Sequence, residues 1–351
     1  MRRSFLQLLI ASLGLTLAGC AAVARTPPPK VLMVVSSHGS PSSEGGQARP
    51  GYDLREFGMA WSVLRANGLQ VEVASPKGGA VEADPYKPEA EFVRPVLADA
   101  TVMRQLRETL PTARVNPQDY AAVLVIGGKG PMFDLHADAG LQALLRSMHE
   151  RDAVIAAVCH GPAALLNVTL ANGQPLLQGR RVTAISKAED RLFAKKWFDH
   201  FPFQLEDALR DRGARYERAP LMMPKLVVDG RLITGQNPLA TPLVAEAVVR
   251  ALGRVPVSRE PYLEERTMAL VQRHLDGDVA GVREQLQREP GRYKIELVGF
   301  YGHLLLQDAN DAAQTREALM LMQTAALHVQ HPELLASIAR AEQMLKQSSA
   351  R

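Results

Sequence analysis

From residue 30 the chain alternates short, wholly apolar runs with longer amphipathic ones. Val31-Leu32-Met33-Val34-Val35-Ser36 lacks any polar alternation, which is the pattern of a strand buried on both faces of a parallel sheet. Val71 to Pro76, Ala121 to Ile126 and Ala153 to Val158 read the same way. Arg181–Ile185, Lys225–Val228 and Leu232–Thr234 are strand-like too, with Asp229-Gly230 as a hairpin turn between the last two. Helical spacing runs from Leu54 to Asn67 and stops at Gly68, recurs near Asp99–Thr109, and returns at Thr241–Leu252. Ser37–Pro50 is a polar loop rich in Gly, Ser and Pro. Repeated βα units predict an α/β fold with a doubly wound, mostly parallel sheet and helices on both faces. Sites in such sheets form beyond the carboxyl ends of the strands. Ser36, Gly127-Gly128 and Cys159 all follow strand ends, so separate segments converge on one rim.

Past Gly253-Arg254-Val255-Pro256 the strand-like runs cease. Amphipathic helices are expected near 262–274, 278–288, 293–307, 312–329 and 332–347, separated by Asp276-Gly277, Pro290-Gly291 and Asp308-Ala309-Asn310. Two readings stand side by side: a degenerate pair of tetratricopeptide-like hairpins, or a helical cap packed on the α/β body. The chain therefore divides into a catalytic domain at 30–254 and an all-α extension at 255–351.

Composition changes this picture little. The 351 residues are 46% hydrophobic and 22% charged, with a formal charge of +4, too balanced to argue for a nucleic-acid partner. The N-terminus is more informative. Met1-Arg2-Arg3 is basic, Phe5 to Leu17 is a short apolar run, and Leu17-Ala18-Gly19-Cys20 resembles the cleavage box of a bacterial lipoprotein. Residues 1–19 are then a signal peptide, Cys20 carries the lipid, and residues 20–29 with Pro27-Pro28-Pro29 form a tether. Membrane contact would run through that lipid anchor. Ala21 after the Cys points to a periplasm-facing place on the outer membrane of the cell envelope. No later apolar run reaches spanning length.

Only two cysteines occur, and Cys159 is the chemical one. It lies in Ala156-Ala157-Val158-Cys159-His160-Gly161-Pro162, between a buried strand and the helix-like Ala163-Ala164-Leu165-Leu166. A strand that turns sharply into a helix with Cys at the corner is a nucleophile elbow, and N-terminal N–H groups of that helix would lower the thiol pKa. His160 supplies a titratable partner. Gly51-Tyr52-Asp53-Leu54-Arg55-Glu56-Phe57 puts an acid at the start of a helix. Glu56 reads either as a first-turn acid complementing the dipole or as a carboxyl held against the sulfur, protonated and able to shuttle a proton. The turn Gly127-Gly128-Lys129-Gly130 offers backbone N–H groups that, with that of His160, could form an oxyanion hole. His38 reads as a surface loop residue, and His136 and His149 have no partners at metal-binding spacing, so neither metal nor cofactor is expected. Trp61 and Trp197 read as packing residues.

Together, Gly51 with Glu56, Gly127-Gly128-x-Gly with Met132-Phe133-Asp134, Ala157-Val158-Cys159-His160-Gly161-Pro162-Ala163, Val182-Thr183 with Glu189-Asp190, Leu205-Glu206-Asp207 and Thr234-Gly235-Gln236-Asn237-Pro238 are similar to the ThiJ/PfpI superfamily, class I glutamine-amidotransferase-like proteins. They resemble most its glyoxalase III branch, which also contains heat-shock chaperones. The likeness spans roughly 30–252 and leaves the C-terminal helices uncovered. It implies a flavodoxin-like fold with Cys159 as nucleophile, His160 as its partner and Glu56 as general acid/base. The third acid falls in Ser186-Lys187-Ala188-Glu189-Asp190, where spacing from Val182-Thr183 favours Asp190 over Glu189. Lys129 stands where the branch usually has His, exchanging a titratable ring for a fixed charge. The implied activity is a cofactor-independent lyase that converts the small dicarbonyl methylglyoxal to lactate through a Cys159 hemithioacetal. The rivals are an amidase, amidotransferase-like hydrolase or peptidase, and an envelope chaperone or oxidation sensor. Family members often dimerise, so a homodimer is a further expectation.

Overall fold

The computed structural model describes residues 28–39 and 49–349. The expected signal peptide, Cys20 and most of the tether lie outside the described residues, as does the middle of the Ser37–Pro50 loop. Nine strands and twelve α-helices follow one another among the described residues. In chain order they begin with β1 (Lys30–Val34), α1 (Leu54–Ala66), β2 (Gln70–Ser75), α2 (Arg94–Ala98), α3 (Ala100–Arg107), β3 (Leu110–Pro111) and β4 (Ala122–Val125). Next come α4 (Ala139–Glu150), β5 (Val154–Val158), β6 (Arg181–Val182), α5 (Lys187–Phe193), α6 (Leu205–Asp211) and β7 (Arg215–Tyr216). A hairpin of β8 (Leu226–Asp229) and β9 (Leu232–Gly235) precedes α7 (Thr241–Ala251). The chain ends in α8 (Leu263–Leu275), α9 (Val279–Arg288), α10 (Ile295–Asp308), α11 (Ala312–Ala326) and α12 (Pro332–Ser349).

Seven strands form one sheet in the order β3-β2-β1-β4-β5-β9-β8, all parallel except the β8–β9 hairpin. This is the flavodoxin-like, doubly wound arrangement. Strand order reverses direction between β1 and β4, which opens a crevice at their carboxyl ends. The central strands β1, β4 and β5 are buried at nearly every position, which is why their sequences show no alternation.

Two expectations need correction. The strand expected over Arg181–Ile185 covers only Arg181–Val182, paired with β7 in a separate two-stranded sheet. Residues 183–185 instead cross behind β5 and β9: the Thr183 N–H donates to Thr234 Oγ1 at 2.9 Å and the Ile185 N–H to the Cys159 carbonyl at 3.0 Å. The helix expected after Cys159 is only a turn of 3₁₀-helix, Gly161–Leu165. Its N–H groups bond three residues back, Ala163 to the His160 carbonyl and Leu166 to that of Ala163, so no i→i−4 ladder develops.

The C-terminal helices fall where the periodicity placed them. The α/β body and these helices each have a hydrophobic core, the second formed by residues such as Met268, Leu286, Tyr301 and Leu321. Met222, Met223 and Leu239 of the α/β body pack into that second core. Among the described residues no helix is long and apolar enough to cross a membrane.

Candidate active site

Cys159 sits one residue past β5 with φ of +58°. A β-carbon is strained in this left-handed region, and the strain persists because both sides of the residue are fixed. The Cys159 N–H donates to the Gly235 carbonyl at 2.9 Å, and its own carbonyl accepts from Ile185. The residue is 4% exposed and borders a pocket of about 320 Å³ beyond the sheet's carboxyl edge.

One flank of the sulfur is built by α1. Asp53 caps this helix, accepting from the Arg55 and Glu56 N–H groups at 2.8 and 3.3 Å, and its carboxylate pairs with the Arg55 guanidinium at 2.6 Å. Glu56 follows on the first turn and points inward, wholly buried. Its Oε2 accepts the Gly127 N–H at 2.8 Å. The carboxyl reaches the Cys159 thiol, while Oε1 has no well-aligned donor among the described residues. Glycine is required at 127: a Cβ there would fall 2.7 Å from Glu56 Oε2 and 2.8 Å from Cys159 Cβ.

This nest decides the protonation states. Burial, helped by the Asp53 carboxylate, holds the Glu56 carboxyl well above the usual carboxylate range. The Cys159 thiol is also pushed well up, first by burial and then by Glu56 and Asp53. The expected lowering of the thiol pKa by an elbow helix is therefore overturned. A single 3₁₀ turn has too little aligned dipole to oppose burial beside carboxyl groups.

The other flank is built by α5. Ser186 caps the helix in a reciprocal capping box with Glu189. The next residue, Asp190, turns toward His160, and His160 Nε2 lies 2.8 Å from Asp190 Oδ1. A carboxylate only accepts, so Nε2 carries the proton and Nδ1 is left as an acceptor, 3.4 Å from Cys159 Sγ. Glu189 is absorbed elsewhere. It accepts from the Ser186 N–H and hydroxyl, from the Gln236 and Asn237 amides, and from the N–H of Met222, which has φ of +62°. Of the two neighbouring acids, Asp190 faces the histidine and Glu189 ties together the loops beneath it.

The glycine turn divides unexpectedly. The Gly127 N–H is committed to Glu56 and the Lys129 N–H to Asp84 Oδ2 at 3.1 Å, so neither serves the oxyanion role expected for them. The N–H groups of Gly128 and His160 have no protein acceptor among the described residues, and both residues border the pocket. The Lys129 ammonium lies 3.3 Å from Asp84 Oδ2. Burial works against its charge, but Asp84 and Asp53 prevail and keep it protonated. Asp84 was missed from sequence because it sits in an irregular insertion. Asp53 left a usable signal, the Asp-x-x-Glu spacing of a helix N-terminus. His38 stacks on Phe133 with ring centroids 4.5 Å apart and does not border the pocket. Trp61 is buried in the α/β core and Trp197 packs against it. Among the described residues no His, Cys, Asp and Glu cluster could hold a metal ion.

Residues 48–251 match the model of the DJ-1/PfpI family. The chain belongs to that family. It is 28% identical over 233 residues to the glutathione-independent glyoxalase hsp3101 of Schizosaccharomyces pombe, covering 63% of this chain and 95% of that protein. The solved Rapid Encystment Protein of 24 kDa from Francisella tularensis is 29% identical, with a TM-score of 0.60 over 64% of this chain and 99% of its own. The fold is shared as well with glyoxalase III from Candida albicans, at 23% identity and a TM-score of 0.57, covering 64% of this chain and 97% of that one.

Proposed function

We propose that this chain is a glutathione-independent glyoxalase that converts methylglyoxal to lactate. The observation that carries the reading is the buried Glu56 carboxyl held against the Cys159 thiol, with Oε1 free of any hydrogen-bond partner among the described residues. In this mechanism sulfur adds to the aldehyde carbon while the thiol proton passes to His160 Nδ1. Glu56, proton-loaded at rest, delivers its proton to the aldehyde oxygen, which the Gly128 and His160 N–H groups hold during addition. The resulting carboxylate is unusually basic because it is buried, and it takes the hydrogen from the former aldehyde carbon. His160 returns its proton to the neighbouring carbonyl oxygen, giving an enediol. Glu56 then protonates the adjacent carbon while His160 recovers the hydroxyl proton, leaving a lactoyl thioester on Cys159. Water then attacks the thioester, giving a proton to the Glu56 carboxylate, while protonated His160 returns its proton to the departing sulfur. Lactate leaves, its carboxyl proton passing to solvent, and the acid, imidazole and thiol are restored. Asp190 holds the imidazole in the required tautomer throughout.

The relatives' names support the reaction class. The Cys159–His160–Asp190 arrangement alone would equally suit acyl transfer, and the Glu56 contact is what favours the isomerising route. The purified chain should form lactate from methylglyoxal without added thiol, and Cys159→Ala should lose at least about 10³-fold in rate. Equal rates in the two proteins would end the proposal. Amide hydrolysis that survives Glu56→Gln, with no action on methylglyoxal, would place the chain among the hydrolases.

A further inference from the structure

The family match stops at residue 251, yet helices beyond that residue close part of the pocket over Cys159. Leu297 of α10 and Glu264 of α8 border it together with Phe193, Met222 and Leu239 of the α/β body. Several contacts fix these helices in place. The Leu263 N–H donates to Glu91 at 2.8 Å and the Val257 N–H to Asn67 Oδ1 at 2.8 Å. Arg259 bridges Glu246 and Glu265 at 3.1 and 2.6 Å, and Phe300 lies against Phe193 with centroids 6.4 Å apart.

We infer that the C-terminal helices are a specificity wall, and that Leu297 with Phe193, Met222 and Leu239 forms an apolar subsite for the substituent of an α-oxoaldehyde larger than methylglyoxal. This inference rests on the glyoxalase reading. Two observations carry it. A pocket of about 320 Å³ is several times larger than a three-carbon dicarbonyl needs, and around Leu297 it is lined by the apolar side chains of Phe193, Met222 and Leu239. The cations around it are already paired, Arg55 with Asp53 and Lys129 with Asp84, and Lys294 beside it is held by Glu264 at 2.6 Å. An anionic substituent finds no unpaired cation there, whereas an apolar one displaces water from Leu297 and Phe193.

The test uses the full chain, methylglyoxal and phenylglyoxal. The wild type should favour phenylglyoxal in kcat/KM by about 10-fold or more, as expected for burying several additional carbons. Leu297→Trp, which fills the subsite from a partly exposed position, should cut phenylglyoxal turnover about 10-fold or more while methylglyoxal stays within about 3-fold. An unchanged melting midpoint shows that the variant folds. A preference that Leu297→Trp leaves untouched overturns the inference and spares the glyoxalase reading. Failure of the wild type on both dicarbonyls overturns that reading, and a second measurement then decides the wall. Alkylation of Cys159 by N-phenylmaleimide and N-methylmaleimide, followed on the Cys159 peptide by mass spectrometry, should show the phenyl reagent alone slowed by Leu297→Trp. Equal slowing of both reagents, or of neither, removes the subsite.

Discussion

The two flanks of Cys159 hold the same kind of group, a carboxylic acid, with opposite partners. On the α1 flank, Glu56 is buried beside the thiol and Asp53 with one oxygen unpaired, and it keeps its proton. On the α5 flank, Asp190 is equally buried but meets an imidazole nitrogen at 2.8 Å and serves as the histidine's anchor. Burial alone therefore assigns no role. The partner within hydrogen-bonding distance does, and it makes one acid a proton carrier and the other a positioning group.

The largest expected effect breaks the α1 flank. Glu56→Gln keeps the shape and can still accept the Gly127 N–H, but it cannot carry a proton. Dicarbonyl turnover should fall by about 10³-fold or more. The same change should lower the thiol pKa, because Glu56 is among the groups holding it up. The pH profile of Cys159 alkylation should accordingly move to lower pH in the variant. A profile that stayed in place, or moved upward, would show that the carboxyl does not govern the sulfur.

A smaller effect separates the two acids of α5. Asp190→Asn should reduce turnover by about 10–100-fold, since His160 loses its anchor, and should lower the thiol pKa by less than Glu56→Gln does, because Asp190 is the weakest of the groups that hold it up. Glu189→Gln should act on stability instead. It removes the charge that Ser186, Gln236, Asn237 and the Met222 N–H share, at a cost of about 2–4 kcal/mol in denaturant unfolding, with a smaller change in rate per folded molecule. If Glu189→Gln were the more damaging to catalysis at unchanged stability, the roles of the two flanking elements would have to be redrawn.

These assignments show what the chain discloses on its own. Buried strands, the strand–Cys–turn corner and the rim where they converge are readable because each is local: an unbroken apolar run, a Gly-Pro after Cys-His, glycines after a strand. Spacing from Val182-Thr183 also pointed to Asp190. Non-local facts were not readable. Nothing in Gly127-Gly128-Lys129 says that the first N–H goes to Glu56 and the third to Asp84, leaving only the middle one. The sign of the thiol shift was misjudged because the helix dipole was weighed without the burial and carboxyl neighbours that only the folded chain supplies. Leu297 reads in sequence as one more apolar residue of an amphipathic helix, and its place over Cys159 depends on how α10 docks.

The smallest effect sharpens the comparison with a carboxyl outside both flanks. Asp134 accepts the Ser36 hydroxyl at 2.9 Å and the Ser37 N–H at 2.7 Å, yet burial raises its pKa from 3.8 to about 6. An acid whose folded pKa is raised binds its proton more tightly in the native state than in the unfolded chain. Stability from this group is therefore greatest below the ordinary aspartate value, declines as pH rises toward 6, and is flat above it. Because Asp134 is partly exposed, solvent screening limits the loss to about 1–2 kcal/mol. Asp134→Asn should gain on the wild type by that amount between about pH 4 and pH 7 in denaturant titrations, while the alkylation profile of Cys159 stays unchanged. A matching shift in that profile would mean that carboxyl groups well away from the sulfur tune it too. The contrast between Glu56 and Asp190 would then reflect the protein's overall field rather than the partner each acid meets.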